Sequence, residues 1–182
     1  LYSIKKYVAY CSAQDYENPL FSFGDGSNNW IFYRLPDVYL MKAEALAEIG
    51  GAANLEEAVD LVSYTYDRAH PDLEEGSLKG KYTNQSEVRN LVFDERQREF
   101  LFEGKRYFDL VRRMRREGSP TNIVNTYLMR KYTSMSLDET TVRSKLDDKD
   151  AIYLPIHEEE LRVNPLLVQN RFYMASEDIS KN

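Results

Sequence analysis

Two consecutive glycines, Gly50-Gly51, constrain this chain more than any other feature, because the residues on both sides of them carry helical spacing. Upstream, Leu35, Val38, Tyr39, Ala45, Leu46 and Ile49 recur at helical intervals. Leu40, Met41, Ala43 and Ala47 extend the apolar surface around the cylinder, so a helix over 35–49 needs cover on more than one side. Glycine adopts the left-handed C-terminal cap at least cost and ends it there. Downstream, Asn54 is placed to cap a second helix, with Glu57 at the third following position. Leu55, Ala58, Val59, Val62, Tyr66 and Ala69 then form a single stripe that Pro71 stops. The predicted unit is an antiparallel helical hairpin with a short glycine turn.

A third helix is predicted from Ser86 and Glu87, its pattern of Val88, Leu91, Val92, Phe93, Phe100, Leu101 and Phe102 running on to Gly104. Tyr107, Phe108, Leu110, Val111 and Met114 mark a fourth, which ends by Gly118 and Pro120. Two successive hairpins with small residues at the helix contacts resemble tetratricopeptide units, although no strict 34-residue self-match is present. The fold class expected is therefore all-α, with tetratricopeptide-like helical hairpins and long irregular loops. Three regions follow from this reading: an irregular or extended segment over 1–29, a helical-hairpin core over 30–118, and an irregular C-terminal segment over 119–182. In the first, Tyr2 to Tyr10 alternate like a strand, and the cluster from Gly24 to Asn29 predicts a loop. In the third, the expectations are a helical turn near Asn122 to Met129, irregular chain to Asp150, an extended Ala151 to Ile156 limited by Pro155, and a helical turn over His157 to Leu161.

Composition removes several functions. An apolar share of 42% with 30% charged residues belongs to a folded domain. Its apolar runs are broken by Lys42, Glu44 and Glu103, far short of a membrane span. The formal charge of −6 argues against general nucleic-acid binding, which needs an excess of Lys and Arg. Cys11 is the only cysteine, so no intramolecular disulfide can form. A lipidation role for it lacks the required upstream apolar region, since Lys5 and Lys6 stand there, and a small buried thiol is the expectation. The chain starts at Leu1 without a signal or transit segment and reads as a piece of something longer.

The densest charge lies between Asp94 and Arg113. On a helix Glu95, Glu99 and Glu103 fall four apart, a spacing that suits carboxylates around a metal. The histidines of a di-iron bundle are missing from the required positions, and Arg96, Arg106 and Arg112 supply opposite charge. The expectation is a structural ion-pair network between helices, built from Arg34, Asp37, Glu44, Glu95, Arg96, Glu99, Glu103, Arg106, Asp109 and Arg112, with no metal. Among 30 acids some pair always looks fit for glycoside hydrolysis, but spacing cannot raise one of their pKa values. His70 and His157 lie far apart, no nucleophile motif surrounds a Ser or Cys, and no glycine pattern cradles phosphate. Neither an enzyme nor a cofactor is expected. Arg112-Arg113-Met114-Arg115-Arg116 is read as a solvated helix end, where cations complement the macrodipole.

Aromatic residues make up 13% of the chain, and rings beside amides are a common means of holding sugars. The candidate ligand residues are Trp30 with Asn28 and Asn29, and Tyr16 and Phe21 nearby. Tyr39, Tyr66, Phe100, Phe102 and Phe108 are assigned to the core because they lie on helical stripes.

Three segments, in order, resemble the SusD/RagB family. They are Arg34 through Ala45; Glu95-Arg96 through Glu99-Phe100 to Phe102-Glu103-Gly104-Lys105-Arg106-Tyr107-Phe108-Asp109-Leu110-Val111-Arg112; and Tyr153-Leu154-Pro155-Ile156 followed by Asn164-Pro165 and Gln169-Asn170. Pro36, His157 and the ending Gln169 to Tyr173 depart from the family pattern at turns. The resemblance implies tetratricopeptide-like helices and non-catalytic binding of oligosaccharides, or of peptides in the RagB branch. It also implies a lipid anchor on the outer leaflet of the bacterial outer membrane, lying outside the matched region, and a SusC-like TonB-dependent outer-membrane transporter as partner. No ligand residue transfers by motif. The competing class is a helical-repeat scaffold that binds protein alone.

Trp30 separates a ligand contact from a hydrophobic staple on the first helix, and the staple is favoured. Trp30→Ala is expected to cost about 3–5 kcal/mol on thermal unfolding, as loss of a packed indole does. A parent-like melt together with a glycan-induced shift of Trp30 fluorescence refutes the staple.

Overall fold

The computed structural model describes residues 31–129 and 138–174. The chain divides into two compact units, Leu1–Arg106 and Tyr107–Asn182. The described residues are helical with no strand among them, so the fold is all-α.

The first unit contains α1 (Leu35–Ile49), α2 (Ala52–Ala69) and α3 (Gln85–Glu99). Pro36 sits in the first turn of α1, where its missing N–H costs nothing. Side-chain pairs fix the directions of the helices. Lys42 meets Glu57 at 2.5 Å, and the Tyr39 and Tyr64 rings lie 4.9 Å apart, so α2 runs antiparallel to α1. Gln85 meets Ala47 and Arg96 meets Asp37, so α3 is antiparallel to α1 as well. Both partners thus lie parallel to each other, and residues 70–84 must carry the chain back along the bundle. Leu78 anchors that return in the core.

The core is formed by Leu40, Ala43 and Ala47 of α1, the Leu55, Ala58, Val59 and Val62 stripe of α2, and Val88, Leu91 and Val92 of α3, with Phe100 beyond it. The buried seam of α1 differs from the predicted stripe. Leu35, Val38, Met41 and Ile49 are exposed, whereas Asp37 heads the seam at 1% exposure. The reason is steric: alanines at 43 and 47 let two helices approach closely on the same side of α1, and the bulky residues remain outside.

Local chemistry refines the predicted ends. Asn54 is not the cap of α2; Gly51 holds that place, and the Asn54 side chain donates back to the Gly50 carbonyl at 2.7 Å. Asn84 caps α3 by accepting from the Ser86 N–H, and Gln85 donates to the carbonyls of Ala47 and Glu48 at the end of α1. Gly50 has φ +75°, and a Cβ there would stand 2.8 Å from the Gln85 amide. Glycine at 50 is favoured by its dihedral, and a side chain there would also displace the Gln85 amide from the end of α1.

α3 stops at Glu99 rather than running on to Gly104. Phe100–Gly104 form a turn in which Phe102 takes φ +65°. Phe102 is 59% exposed, so its assignment to the core is corrected: the helix that would have carried its ring inward has already ended.

α4 (Arg106–Glu117) leads into the second unit and ends at Gly118. Phe108 is 62% exposed and leaves the predicted core, because the buried positions of α4 are Asp109, Arg113 and Met114. A one-turn α5 (Thr121–Ile123) widens into a π-type turn at Val124–Leu128. The stretch expected to be irregular contains α6 (Glu139–Leu146), whose cap, Asp138, accepts from the Thr141 N–H at 3.2 Å. Hydrogen bonds from Thr140 and Thr141 hold the Asp138 carboxyl below its ordinary pKa. Because α6 buries no residue, apolar spacing could not announce it. α7 (Glu158–Val163) matches the turn predicted after His157, which caps it.

Leu40→Ala is expected to cost about 2–5 kcal/mol in denaturant unfolding, while Leu35→Ala costs less than about 0.5 kcal/mol. Equal losses refute the assignment of faces on α1.

Candidate functional site

The predicted ligand residues Tyr16, Phe21, Asn28, Asn29 and Trp30, and with them Cys11, lie outside the described residues. What the described residues display is the framework on which a site is mounted, and two grooves in the first unit.

The framework joins the start of α1 to the end of α3. Arg34, just before α1, ion-pairs with Glu99, donates to the Glu99 carbonyl at 2.7 Å and reaches Glu103 at 2.8 Å. Burial works against the charge of Arg34, and hydrogen bonds to Glu103 and Glu99 more than reverse this, so its pKa is raised. One turn on, Asp37 takes Arg96 at 3.4 Å and ion-pairs with Lys105, whose ammonium also reaches the Phe32 carbonyl. Arg96 lies 3.9 Å from Glu44. The ring of Phe100 is enclosed by these cations, with Arg34, Arg96 and Lys105 at 4.9, 5.1 and 5.2 Å from its centroid.

The three glutamates of the supposed metal face do not converge. Glu95 accepts from Thr65 of α2 at 2.6 Å and pairs with Arg98 at 2.9 Å. Glu99 and Glu103 turn to Arg34. Arg106 lies over the Phe93 ring at 3.8 Å and donates to its carbonyl. Asp109 and Arg112 pair with each other at 2.8 Å in the second unit. Sequence reading missed Lys105 and also Arg68, which reaches Glu99 at 2.6 Å. The lysine was legible as the neighbour of Glu103 and Gly104, but its target depends on the turn at 100–104.

In the second unit the arginine run is not uniformly solvated, which corrects its reading. Arg113 is buried, bonded to Glu117 at 2.8 Å and to the Tyr127 hydroxyl at 3.0 Å. Being four residues after buried Asp109, it falls on the inward side of α4. The third motif closes on itself here. Gln169 accepts from the Ile156 N–H at 2.9 Å and donates to the Ile156 carbonyl at 2.8 Å, while Asn170 donates to the Leu154 carbonyl at 2.6 Å. The run expected to be extended from Ala151 begins instead as a turn, with the Ala151 and Tyr153 N–H groups donating to the Asp148 and Asp150 carbonyls, and the two amides serve the main chain of Leu154 and Ile156 after it.

The larger groove, of about 800 Å³, runs along α2 and the 70–84 connection and is lined by Asp60, Tyr64, Asp67, Arg68, Leu73 and Lys79 among others. A smaller one of about 310 Å³ is lined by Tyr66, Tyr82, Asn90, Asp94 and Arg98. Tyr64 lies off the inward stripe of α2, the one sequence signal that pointed to the larger groove.

A profile of the SusD family matches residues 1–173. SusD-like protein P25 of Formosa agariphila is 34% identical over 144 residues, which is 79% of this chain and 24% of that protein. SusD-like protein P2 of the same organism is 38% identical over 96 residues, 48% of this chain and 17% of that protein. The chain therefore spans about a quarter or less of the length of these curated relatives. No solved structure matches it.

Glu99→Ala leaves Arg34 with Glu103 alone and removes the carboxylate facing the exposed Arg68, so the expected loss is about 1–3 kcal/mol. Thermal unfolding reads it. A melt like that of the parent overturns the framework role of Glu99.

Proposed function

Because the chain belongs to the SusD family, we propose that it forms part of a non-catalytic surface component that binds oligosaccharide nutrients and delivers them to a SusC-like TonB-dependent transporter in the bacterial outer membrane. The observation that carries this reading is the family match over residues 1–173, within which all three motifs lie. The physical arrangement is compatible with it: the charged residues of the first two motifs are largely paired with one another, and exposed aromatic side chains such as Tyr64 remain at the surface. No helix among the described residues is long and apolar enough to cross a membrane, in keeping with a protein held at the outer leaflet by a lipid. Peptide in place of glycan is the alternative ligand within the same family. The exposed ridge of Leu35, Val38, Met41 and Ile49 favours a protein-binding role as the competing class.

A glycan array followed by calorimetric titration is the test. Saturable binding of at least one oligosaccharide is expected, with no release of reducing ends on long incubation. Binding of peptides or proteins only, or steady release of reducing ends, overturns the reading.

A further inference from the structure

We propose that the groove between α2 and the 70–84 connection is a saccharide subsite that prefers neutral glycans and is centred on Tyr64; this rests on the carbohydrate-binding reading above. Tyr64 is the first observation. An aromatic residue on α2 that remains 64% exposed contributes nothing to the core. It lines the groove, and its ring is set against that of Tyr39 at 4.9 Å and 34°, a contact that limits its freedom before a ligand covers it. Pro71 and Leu73 add apolar surface to the same groove, and Leu73 is itself exposed. A saccharide ring offers an apolar face to such a platform and hydroxyls at its edges.

The edges of the groove carry carboxylates. Asp67 fixes the groove wall by taking the Gly76 N–H on Oδ2 at 2.8 Å, at a turn where Gly76 has φ +75°. Its other oxygen, Oδ1, is shielded from solvent and accepts no hydrogen bond. With Oδ2 committed to Gly76 and Oδ1 enclosed, Asp67 shapes and charges the groove wall rather than contacting a ligand hydroxyl itself. Asp60, two turns further back and on the same wall, stands 3.3 Å from Lys79. Asp60, Asp67 and Glu75 outnumber Arg68 and Lys79, and Arg68 is already engaged by Glu99. An excess of negative charge disfavours uronates or sulfated sugars and leaves neutral glycans as the preferred class. The volume, about 800 Å³, lies within the usual range for ligand sites and suits a short oligosaccharide. The smaller groove is the weaker candidate, since at about 310 Å³ it holds less of an oligosaccharide and its Tyr66 and Tyr82 are packed against the core.

The test titrates the parent chain, Tyr64→Ala, Tyr64→Phe and Tyr82→Ala with the tightest neutral oligosaccharide found on a glycan array, and with a uronate oligomer of equal length. Tyr64→Ala is expected to weaken the neutral ligand about tenfold or more, roughly one stacked ring, while remaining folded at the titration temperature with a melt lowered only slightly by loss of the ring pair with Tyr39. Tyr64→Phe, which keeps the ring, and Tyr82→Ala, in the other groove, are expected to bind like the parent, and the uronate more weakly. Parent-like affinity in Tyr64→Ala, or a loss that follows Tyr82→Ala instead, overturns the subsite and leaves carbohydrate binding intact. Failure of the parent to bind any array glycan removes the underlying reading as well.

Discussion

The first unit depends on one arginine placed before its first helix. Arg34 takes both Glu99, the last residue of α3, and Glu103 in the turn that follows, and so ties the beginning of one helix to the end of another across 65 and 69 residues. Paired and enclosed, such charges are costly to separate, although a well-packed apolar substitute need not be less stable. What the ion pairs add is definition. Arg34 can meet those two carboxylates only with α3 antiparallel to α1 and with the chain turning sharply after Glu99. The Phe100 ring between three cations gives the junction an apolar centre without leaving a positive charge unmatched.

That junction explains why two of the three family motifs lie so far apart in sequence and carry complementary charge. Arg34 and Asp37 begin the first; Arg96, Glu99, Glu103 and Lys105 belong to the second. The remaining helix, α2, is held by its apolar stripe and by hydrogen bonds from Thr65 and Arg68 into the same α3 face. A small core with alanines at its seam thus acquires one arrangement of three helices, and the groove along α2 takes its shape from the connection that this topology requires.

Helix existence was legible in the sequence because apolar spacing and glycine or proline stops agree over α1, α2 and α4. Which face of α1 is buried was not, since the seam uses Ala43 and Ala47, which attract less notice than Leu35 or Ile49. The pairing of Arg34 with Glu99 was legible as opposite charge in two motifs. Arg68 and Lys105 were not, because their contacts depend on helix direction and on the left-handed Phe102. α6 escaped notice because it has a cap and an ion pair, Glu139 with Arg143, but no apolar stripe. Tyr64 was visible only as a ring off the stripe; the path of 70–84 that makes a groove beside it is a tertiary fact.

In the second unit, the clamp of Gln169 on Ile156 bears on how such chains vary in length. Both main-chain groups of Ile156 are satisfied by one side chain thirteen positions later, so this fastening does not depend on what lies between. Closing a longer excursion adds an entropy that grows only logarithmically, about 0.6 kcal/mol for each doubling. Insertions or deletions around α7 are therefore nearly neutral, provided that the amide returns to the same place. Divergence in this part of the chain has room to run in contour length while its two ends remain fastened together.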